Sequence, residues 1–397
     1  MKSRKFNDNW KEYVLYDLAN WKNGLAFNKI NFSEDGYPII KIAELKNGIT
    51  SQTNFTKDKC SEEVYLRKND LIFSWSGNPE TSIDAYLYDL PEGYLNQHSF
   101  KVTPYESINK YFLFYVLKYL KPIFKKIASN KQTTGLGHIT ISDLRNLKIK
   151  IPTMEIQEKF LKIIKRIDDK IKLNNQTNDN LSEIIERMFI NFLEKHNEEL
   201  VTLEDAVKKI GTGADAIQRA PIVEYDTGIR CIRVGDMTNS RNRYEWGFTE
   251  MTDKDFDNYK LDIGDIVVTR TAVNGLSYMI EDDMKVVCNN GLIRMKVNEE
   301  YNPMFIYLYL KTKDFNEYVH RIDGETSVRP NMKVNYFTSY KIMKISKEEQ
   351  DEICNKLLPL RNKQKQIIEE NNTLTQLRDT LLPKLMNGEI DLDKIEI

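Results

Sequence analysis

From Phe160 onward the non-polar positions fall in alternating steps of four and three: Phe160, Ile164, Ile167, Ile171, then Asn174 and Asn178, then Leu181, Ile185, Met188 and Phe192. A stripe so spaced keeps to one side of an α-helix and predicts a heptad seam against a second helix. The polar interval 174–180 contains neither Gly nor Pro, so it can stay helical despite mediocre propensity. The pattern therefore predicts one helix over 155–196.

The same seam returns 193 residues later as Ile353, Leu357, Leu360, Gln364, Ile367, Asn371, Leu374, Arg378, Leu381 and Leu385. The match extends upstream without a gap, pairing Gln157 with Gln350, Leu144 with Phe337, Lys118 with Lys311 and Phe112 with Phe305. This is the signature of a tandem duplication. It divides the chain into a module over 1–150, a helix over 151–196, a second module over 197–345, and a second helix with its tail over 346–397. Asn178 and Asn371 occupy equivalent seam positions, where a buried amide misaligned by one heptad would lose its partner, so these residues are expected to set the register of two packed helices.

Within the first module, Val14–Trp21 is amphipathic and predicts a short opening helix. Short alternating or aromatic runs at Tyr37–Ile42, Asp70–Trp75, Ala85–Tyr88 and Phe100–Val102 predict strands. A Lys-rich amphipathic helix is expected over 110–129, followed by the polar loop 130–135. The second module repeats this order, with an opening helix over 203–210 stopped by Gly211-Thr212-Gly213, strands at Ile229–Val234, Asp265–Arg270 and Leu292–Val297, a helix from Pro303 to Ile322, and the loop 323–330. The frame repeats while its loops diverge, as expected of two recognition surfaces with different targets.

At 397 residues, each module is long enough for its own core, and 41% hydrophobic content with a net charge of −1 excludes a disordered chain. The charge is uneven: +6 over 1–150, 0 over 151–196, −4 over 197–345 and −3 over 346–397. In both copies positive charge gathers in the same part, eight Lys/Arg against one Asp over 111–150 and seven against four acids over 304–345. Four isolated cysteines and four scattered histidines offer no metal-ligand spacing, so reduced thiols and no structural zinc are expected. The N-terminus has no apolar segment behind its charges, and the most apolar run, 111–120, is far shorter than the roughly 20 residues of a membrane helix. A cytoplasmic protein is expected.

Motifs for catalysis are weak. Gly211-Thr212-Gly213-Ala214-Asp215-Ala216 has the G-x-G-x-x-A form, but after a predicted helix rather than a strand it reads as a helix stop. Asn302-Pro303-Met304-Phe305 resembles the tetrad with which amino-methyltransferases stack a flipped base, yet its third position is Met and no glycine-rich cofactor loop precedes it. Proline in the first turn of a helix explains it better. No P-loop is present. What remains is Lys and Arg interleaved with Asn, Gln, Thr and aromatics after the same helix in both modules, which suits phosphate contact and base-edge reading.

The run Ile149-Lys150-Ile151-Pro152 followed by Gln157, the second copy from Glu349-Gln350, and above all Leu377-Arg378-Asp379-Thr380-Leu381-Leu382-Pro383-Lys384-Leu385-Met386-Asn387-Gly388-Glu389-Ile390 resemble the specificity (HsdS) subunits of type I restriction-modification systems, over essentially the whole chain. The first copy departs at Ile190, where the second has Pro383, and Pro383 is expected to kink or end its helix. The resemblance implies an α+β fold: two similar β-rich target-recognition domains separated by two long antiparallel coiled-coil helices in a pseudo-two-fold tandem repeat. It implies a non-catalytic subunit that reads a bipartite, asymmetric site on double-stranded DNA and docks two methyltransferase subunits, with restriction subunits in systems that cleave. S-adenosylmethionine, ATP and Mg belong to those partners, and no cofactor or metal to this chain. A helix of 42 residues is about 63 Å long, enough to space two modules by a turn of DNA or more.

The expected DNA-contacting residues are Lys131, Gln132, Thr133, Thr134 and His138 in the first half and Arg321, Thr326, Ser327, Arg329 and Asn331 in the second, with the strand-end loops Trp75-Ser76 and Arg270-Thr271. The alternatives are a subunit of a methyltransferase-only or type II-like system, a catalytic fusion for which the repeat leaves no room, and a paired-helix adaptor that binds only proteins.

Overall fold

The computed structural model describes residues 9–28, 31–50, 52–131, 135–196, 199–325, 331–390 and 392. These form two units, one of residues 1–171 with 374–397 and the other of residues 172–373. Each unit thus contains one module together with a segment of both long helices.

In the first unit a central antiparallel sheet runs in the order Ala19–Asn23, Ser99–Pro104, Leu71–Ser74, Asp84–Leu87. The second unit has the same order with Val207–Thr212, Leu292–Val297, Ile266–Thr269 and Ser277–Met279. Each has a further four-stranded sheet containing one parallel pair: Tyr37–Ile40 with Gly93–Leu95, and Arg230–Ile232 with Val286–Cys288. A two-stranded ribbon closes each module, Trp10–Val14 on Lys148–Pro152 and Leu200–Thr202 on Lys341–Met343. Strands of this length, with one face on a helix, bury apolar residues in alternation and need the helix to complete a core.

The long helices run from Met154 to Leu193 and from Lys347 to Met386, 40 residues each. In the first unit Ile156, Phe160 and Ile164 join Leu382, Leu385 and Met386 in the core around the central sheet. In the second, Ile185, Phe189 and Leu193 join Ile353 and Leu357. The helix segments pair antiparallel within each unit: Arg378 meets Asp168 at 3.0 Å in the first, while in the second Asn174 Nδ2 donates to Asn371 Oδ1 at 2.8 Å and Gln364 Nε2 to Ser182 Oγ at 2.8 Å. Asn174 and Asn371 are thus paired as register-setting amides must be, whereas Asn178, expected to play the same part, leaves its buried Oδ1 without a partner among the described residues, and Gln364 bonds a hydroxyl and the Asn178 backbone carbonyl rather than another amide.

The duplication is visible in individual hydrogen bonds. Gln157, fully buried, accepts from the Asn109 backbone N–H at 2.8 Å and donates to the Pro152 carbonyl at 2.9 Å. Gln350, also fully buried, accepts from the Asn302 N–H and donates to the Ile345 carbonyl, both at 2.8 Å. Asn109 and Asn302 in turn N-cap the helices that follow, accepting from Tyr111 and Met304 N–H groups at 2.9 Å. Pro303 sits in that first turn, as its sequence context predicts.

Several elements differ from expectation. Val14–Trp21 is no helix: Leu15–Leu18 forms a single 3-10 turn between two strands, because Leu15 and Leu18 point to the core one turn apart while Ala19 and Trp21 alternate inward along a strand. The equivalent 203–210 divides likewise into the turn Leu203–Ala206 and the strand Val207–Thr212. Gly211-Thr212-Gly213 thus ends a strand rather than a helix. No helix opens after it; Asp215 closes a turn by accepting from the Ile217 and Gln218 N–H groups at 2.9 and 2.8 Å. Gly213 is glycine because the backbone crosses there: a Cβ would lie 2.2 Å from the Cys288 carbonyl oxygen, and Gly24 stands in the same relation to Asn96 at 2.1 Å.

The expected helix 303–322 is two, Pro303–Tyr309 and Lys313–Glu325. Thr312 breaks it, its buried hydroxyl donating to the Tyr309 carbonyl at 2.7 Å and accepting from the Phe315 N–H, which restarts the helix. In the seam, Phe189 rather than Met188 is buried, the drift of a 3.6-residue helix against a 3.5-residue repeat. Nor does Pro383 end its helix. The helix continues to Met386, and Gly388 (φ 66°) closes it in a Schellman motif, with Gly388 N–H bonded to the Leu385 carbonyl and Glu389 N–H to the Lys384 carbonyl.

Candidate nucleic-acid interface

The positive charge of the helix Lys110–Asn130 is largely spent inside its own unit. Lys118 and Lys121 both bind Asp84, and Lys125 binds Glu80. Burial pushes the Asp84 carboxyl up, but the two lysines outweigh it and hold it below its ordinary value. Lys131 makes two bonds to Asp143, at 2.6 and 2.7 Å. The Asp143 carboxyl is also held low, bonds from Lys131 and Thr140 outweighing its partial burial. The basic face read from sequence is therefore mostly internal, and a polar surface elsewhere in the module carries the candidate site.

That surface forms where two loops meet. Ser76–Gly77 pairs antiparallel with Gly137–His138, and the Ile139 N–H donates to the Trp75 carbonyl at 2.8 Å. The segment 97–98 lies beside them, since Trp75 N–H donates to the His98 carbonyl and the Trp75 and His98 rings meet edge-on at 5.8 Å. Trp75 Nε1 donates to Asn23 Oδ1 at 2.9 Å, which fixes the indole. Trp75, Ser76 and His138, far apart in sequence, are thus neighbours, and His138 is exposed.

The second unit builds the same junction from other residues. Thr271 bridges Asn331, the Met332 N–H donates to the Arg270 carbonyl at 2.8 Å, and Arg270 N–H donates to the Gly291 carbonyl. Arg270 acts as a strut: its guanidinium donates to Asn331 Oδ1 at 2.9 Å, to the Asn290 carbonyl at 3.2 Å and to the Met332 carbonyl at 3.3 Å. Ala272 at the loop tip has φ 66°, a left-handed conformation that costs a non-glycine residue about 1–3 kcal/mol and persists only where its surroundings enforce it. Arg321 is exposed one helix away, over the Tyr318 ring. Gln132, Thr133, Thr134, Thr326, Ser327 and Arg329 lie outside the described residues.

Sequence reasoning missed the third participant in each junction, Gln97-His98 and Asn290-Gly291. The signal was available: both follow the asparagines at equivalent positions, Asn96 and Asn289, where the chain crosses from one sheet of its module to the other. Among the described residues no group of three or more His, Cys, Asp or Glu side chains is placed to hold a metal ion, and no helix is long and apolar enough to cross a membrane.

One frame repeated with unlike loops at the same junction defines a two-headed recognition protein. Comparison with known proteins places it more closely. The family model described as type I restriction modification DNA specificity domain matches residues 7–183 and again 199–376. The HindI type I restriction enzyme specificity subunit of Haemophilus influenzae is 25% identical, covering 96% of this chain and 99% of its own. The MjaVIII specificity subunit of Methanocaldococcus jannaschii is 22% identical, covering 90% and 87%. Among solved structures, the type I S subunit from M. genitalium shares the fold with a TM-score of 0.51 at 17% identity, covering 96% of this chain and 97% of its own. The chain belongs to the type I restriction-modification specificity family. It is a DNA-recognition subunit of a type I restriction-modification complex, and a non-catalytic one.

Proposed function

We propose that each module reads one half of a split, asymmetric DNA target through its loop junction: Trp75, Ser76, Gln97, His98 and His138 for one half, Thr271, Asn290, Arg321 and Asn331 for the other, with Arg270 holding the second junction in shape. Lys131, Gln132, Thr133 and Thr134 add DNA contacts in the first half, and Thr326, Ser327 and Arg329 in the second. The paired helices dock two methyltransferase subunits, and a restriction subunit joins where the system cleaves. S-adenosylmethionine, ATP and Mg act on those partners, in the cytoplasm. The observation that carries this reading is the repeated juxtaposition of strand end and post-helix loop, 75–77 with 137–139 and 270–271 with 331–332, on which amide, imidazole and indole groups capable of base-edge and phosphate contact converge.

The test is single-molecule sequencing of methylated adenines in a host carrying this gene and its methyltransferase, with the native chain and with Arg270→Met. The native chain should give two half-sites with a gap. Arg270→Met should relax base preference in one half only, by about 1–3 kcal/mol per affected position. Equal relaxation of both halves would refute the assignment.

A further inference from the structure

A further loop, 214–220, runs beside the second junction. The Ala214 N–H donates to the Cys288 carbonyl and the Asn290 N–H to the Ala214 carbonyl, both at 2.8 Å, so the chain leaving Gly213 lies parallel to Asn289-Asn290. It then turns back sharply. The Asp215 carboxylate accepts from the Ile217 and Gln218 N–H groups, and the Asp215 carbonyl from the Arg219 and Ala220 N–H groups at 3.2 and 2.8 Å. Its backbone bonds hold the Asp215 carboxyl below its ordinary value. Ala214 and Ala220, at the two ends, are buried in a small core with Cys231 and Val287. The turn thereby holds Ile217 out from the surface at 84% exposure, more than any other large apolar side chain among the described residues.

One exposed isoleucine is ordinary on a protein surface. This one differs in its place and in its counterpart. In the first module the chain after Gly24 packs Leu25 and Phe27 against the outer core, whereas after Gly213 the one large apolar residue of the loop faces water. Cations flank it. Arg219 donates to the Tyr259 hydroxyl at 2.6 Å, and the Arg219 and Arg294 guanidinium groups lie 5.7 and 5.0 Å from the Tyr259 ring centre. Arg294 also donates to the Thr212 carbonyl at the root of the loop. Among the described residues neither arginine forms an ion pair, unlike Lys101, the counterpart of Arg294, which binds Asp70 at 3.0 Å. In a module of net charge −4, two cations are thus left uncompensated beside the loop that borders the junction.

We propose that the loop 214–220 is a further DNA-contacting element of the second half. Ile217 packs against the 5-methyl group of a thymine in that half-site, the apolar group that the major groove exposes on a base edge. Arg219 and Arg294, steadied by Tyr259, contact the phosphates beside it. The proposal rests on the two-half-site reading above. Ala214, Asp215 and Ala220 touch no DNA and act by holding the turn.

The experiment uses the chain assembled with its methyltransferase subunits and measures equilibrium binding to duplexes carrying the mapped target. Each thymine of the second half-site is replaced in turn by uracil, which removes the 5-methyl group alone; the thymine paired with the methylated adenine supplies at least one such position. Wild type should bind one of these duplexes about fourfold more weakly, the worth of one buried methyl group. Ile217→Ser should bind thymine and uracil duplexes alike, while Ile217→Val keeps the difference. Arg219→Met should lower the slope of log affinity against log salt by about one and leave the uracil profile unchanged. Wild-type indifference to uracil at every second-half thymine, or a difference that survives in Ile217→Ser, would overturn the role of Ile217. An unchanged salt slope in Arg219→Met would overturn the phosphate contact. Arg270→Met separates the loop from the junction: relaxed base preference in that variant alongside a failed Ile217 test overturns the loop's role alone, whereas unrelaxed preference overturns the junction reading beneath it.

Discussion

Replacing Gln157 by Met keeps the length and volume of the side chain and removes its amide. Three bonds go: the one accepted from the Asn109 N–H at 2.8 Å, the one donated to the Pro152 carbonyl at 2.9 Å, and a longer one donated to the Ser107 carbonyl at 3.4 Å. The second lies in a fully buried setting, so the Pro152 carbonyl would be left without a partner, while the half-buried Asn109 N–H recovers part of its loss from water. A buried orphan costs about 1–3 kcal/mol and a lost neutral hydrogen bond about 1, so the variant should lose about 2–4 kcal/mol. Gln350→Met should cost the same, because its bonds to Asn302 and Ile345 repeat that geometry. The two effects can be read separately. Trp10, Trp21 and Trp75 belong to one unit and Trp246 to the other, and hydrogen exchange at the Asn109 and Asn302 amides reports each bond directly. A loss below about 0.5 kcal/mol, the scale of an ordinary surface substitution, would refute the reasoning. So would unchanged exchange at the capping asparagine.

Gly213→Ala should destabilise the second unit by about 1–3 kcal/mol or more, since the added carbon meets backbone carbonyls at 2.2 and 2.3 Å, while Gly211→Ala, with nothing within 4 Å, should be tolerated; urea titration of both checks the contrast. Asn371→Leu removes one partner each from Asn174 and Asn175 and should cost about 1 kcal/mol, partly recovered in Asn174→Leu/Asn371→Leu; a single variant more stable than wild type would deny the amides their register role. The Asp84 carboxyl is held below its ordinary value, so its contribution is complete above about pH 4 and lost as pH falls through the lower folded value. Stability curves of wild type and Asp84→Asn should therefore differ at neutral pH and converge in acid, and parallel curves would exclude that linkage.

Much of the architecture is local or periodic, and so was readable along the chain. The seam and the 193-residue repeat depend on spacing, which one sequence carries in full. The 3.6-residue period recovers the first long helix to within three residues at each end and the start of the second to within one, although it misplaces the inner face of the first near Met188 and Phe189, where a small angular drift accumulates. Short amphipathic runs were ambiguous. Val14–Trp21 and Leu203–Ile210 suit a helix and a turn with a strand equally well, and only pairing with Ser99–Pro104 and Leu292–Val297 settled the matter. Charge was the least legible. Lysines that look like a surface for DNA are consumed by Asp84 and Glu80, more than thirty residues away. Arg243 finds Glu369 across 126 positions. Composition counts charges without their partners, and a side chain's partner is decided by chain crossings that no local pattern records; the loop junctions at Trp75 and His138, and at Arg270 and Asn331, exist for the same reason.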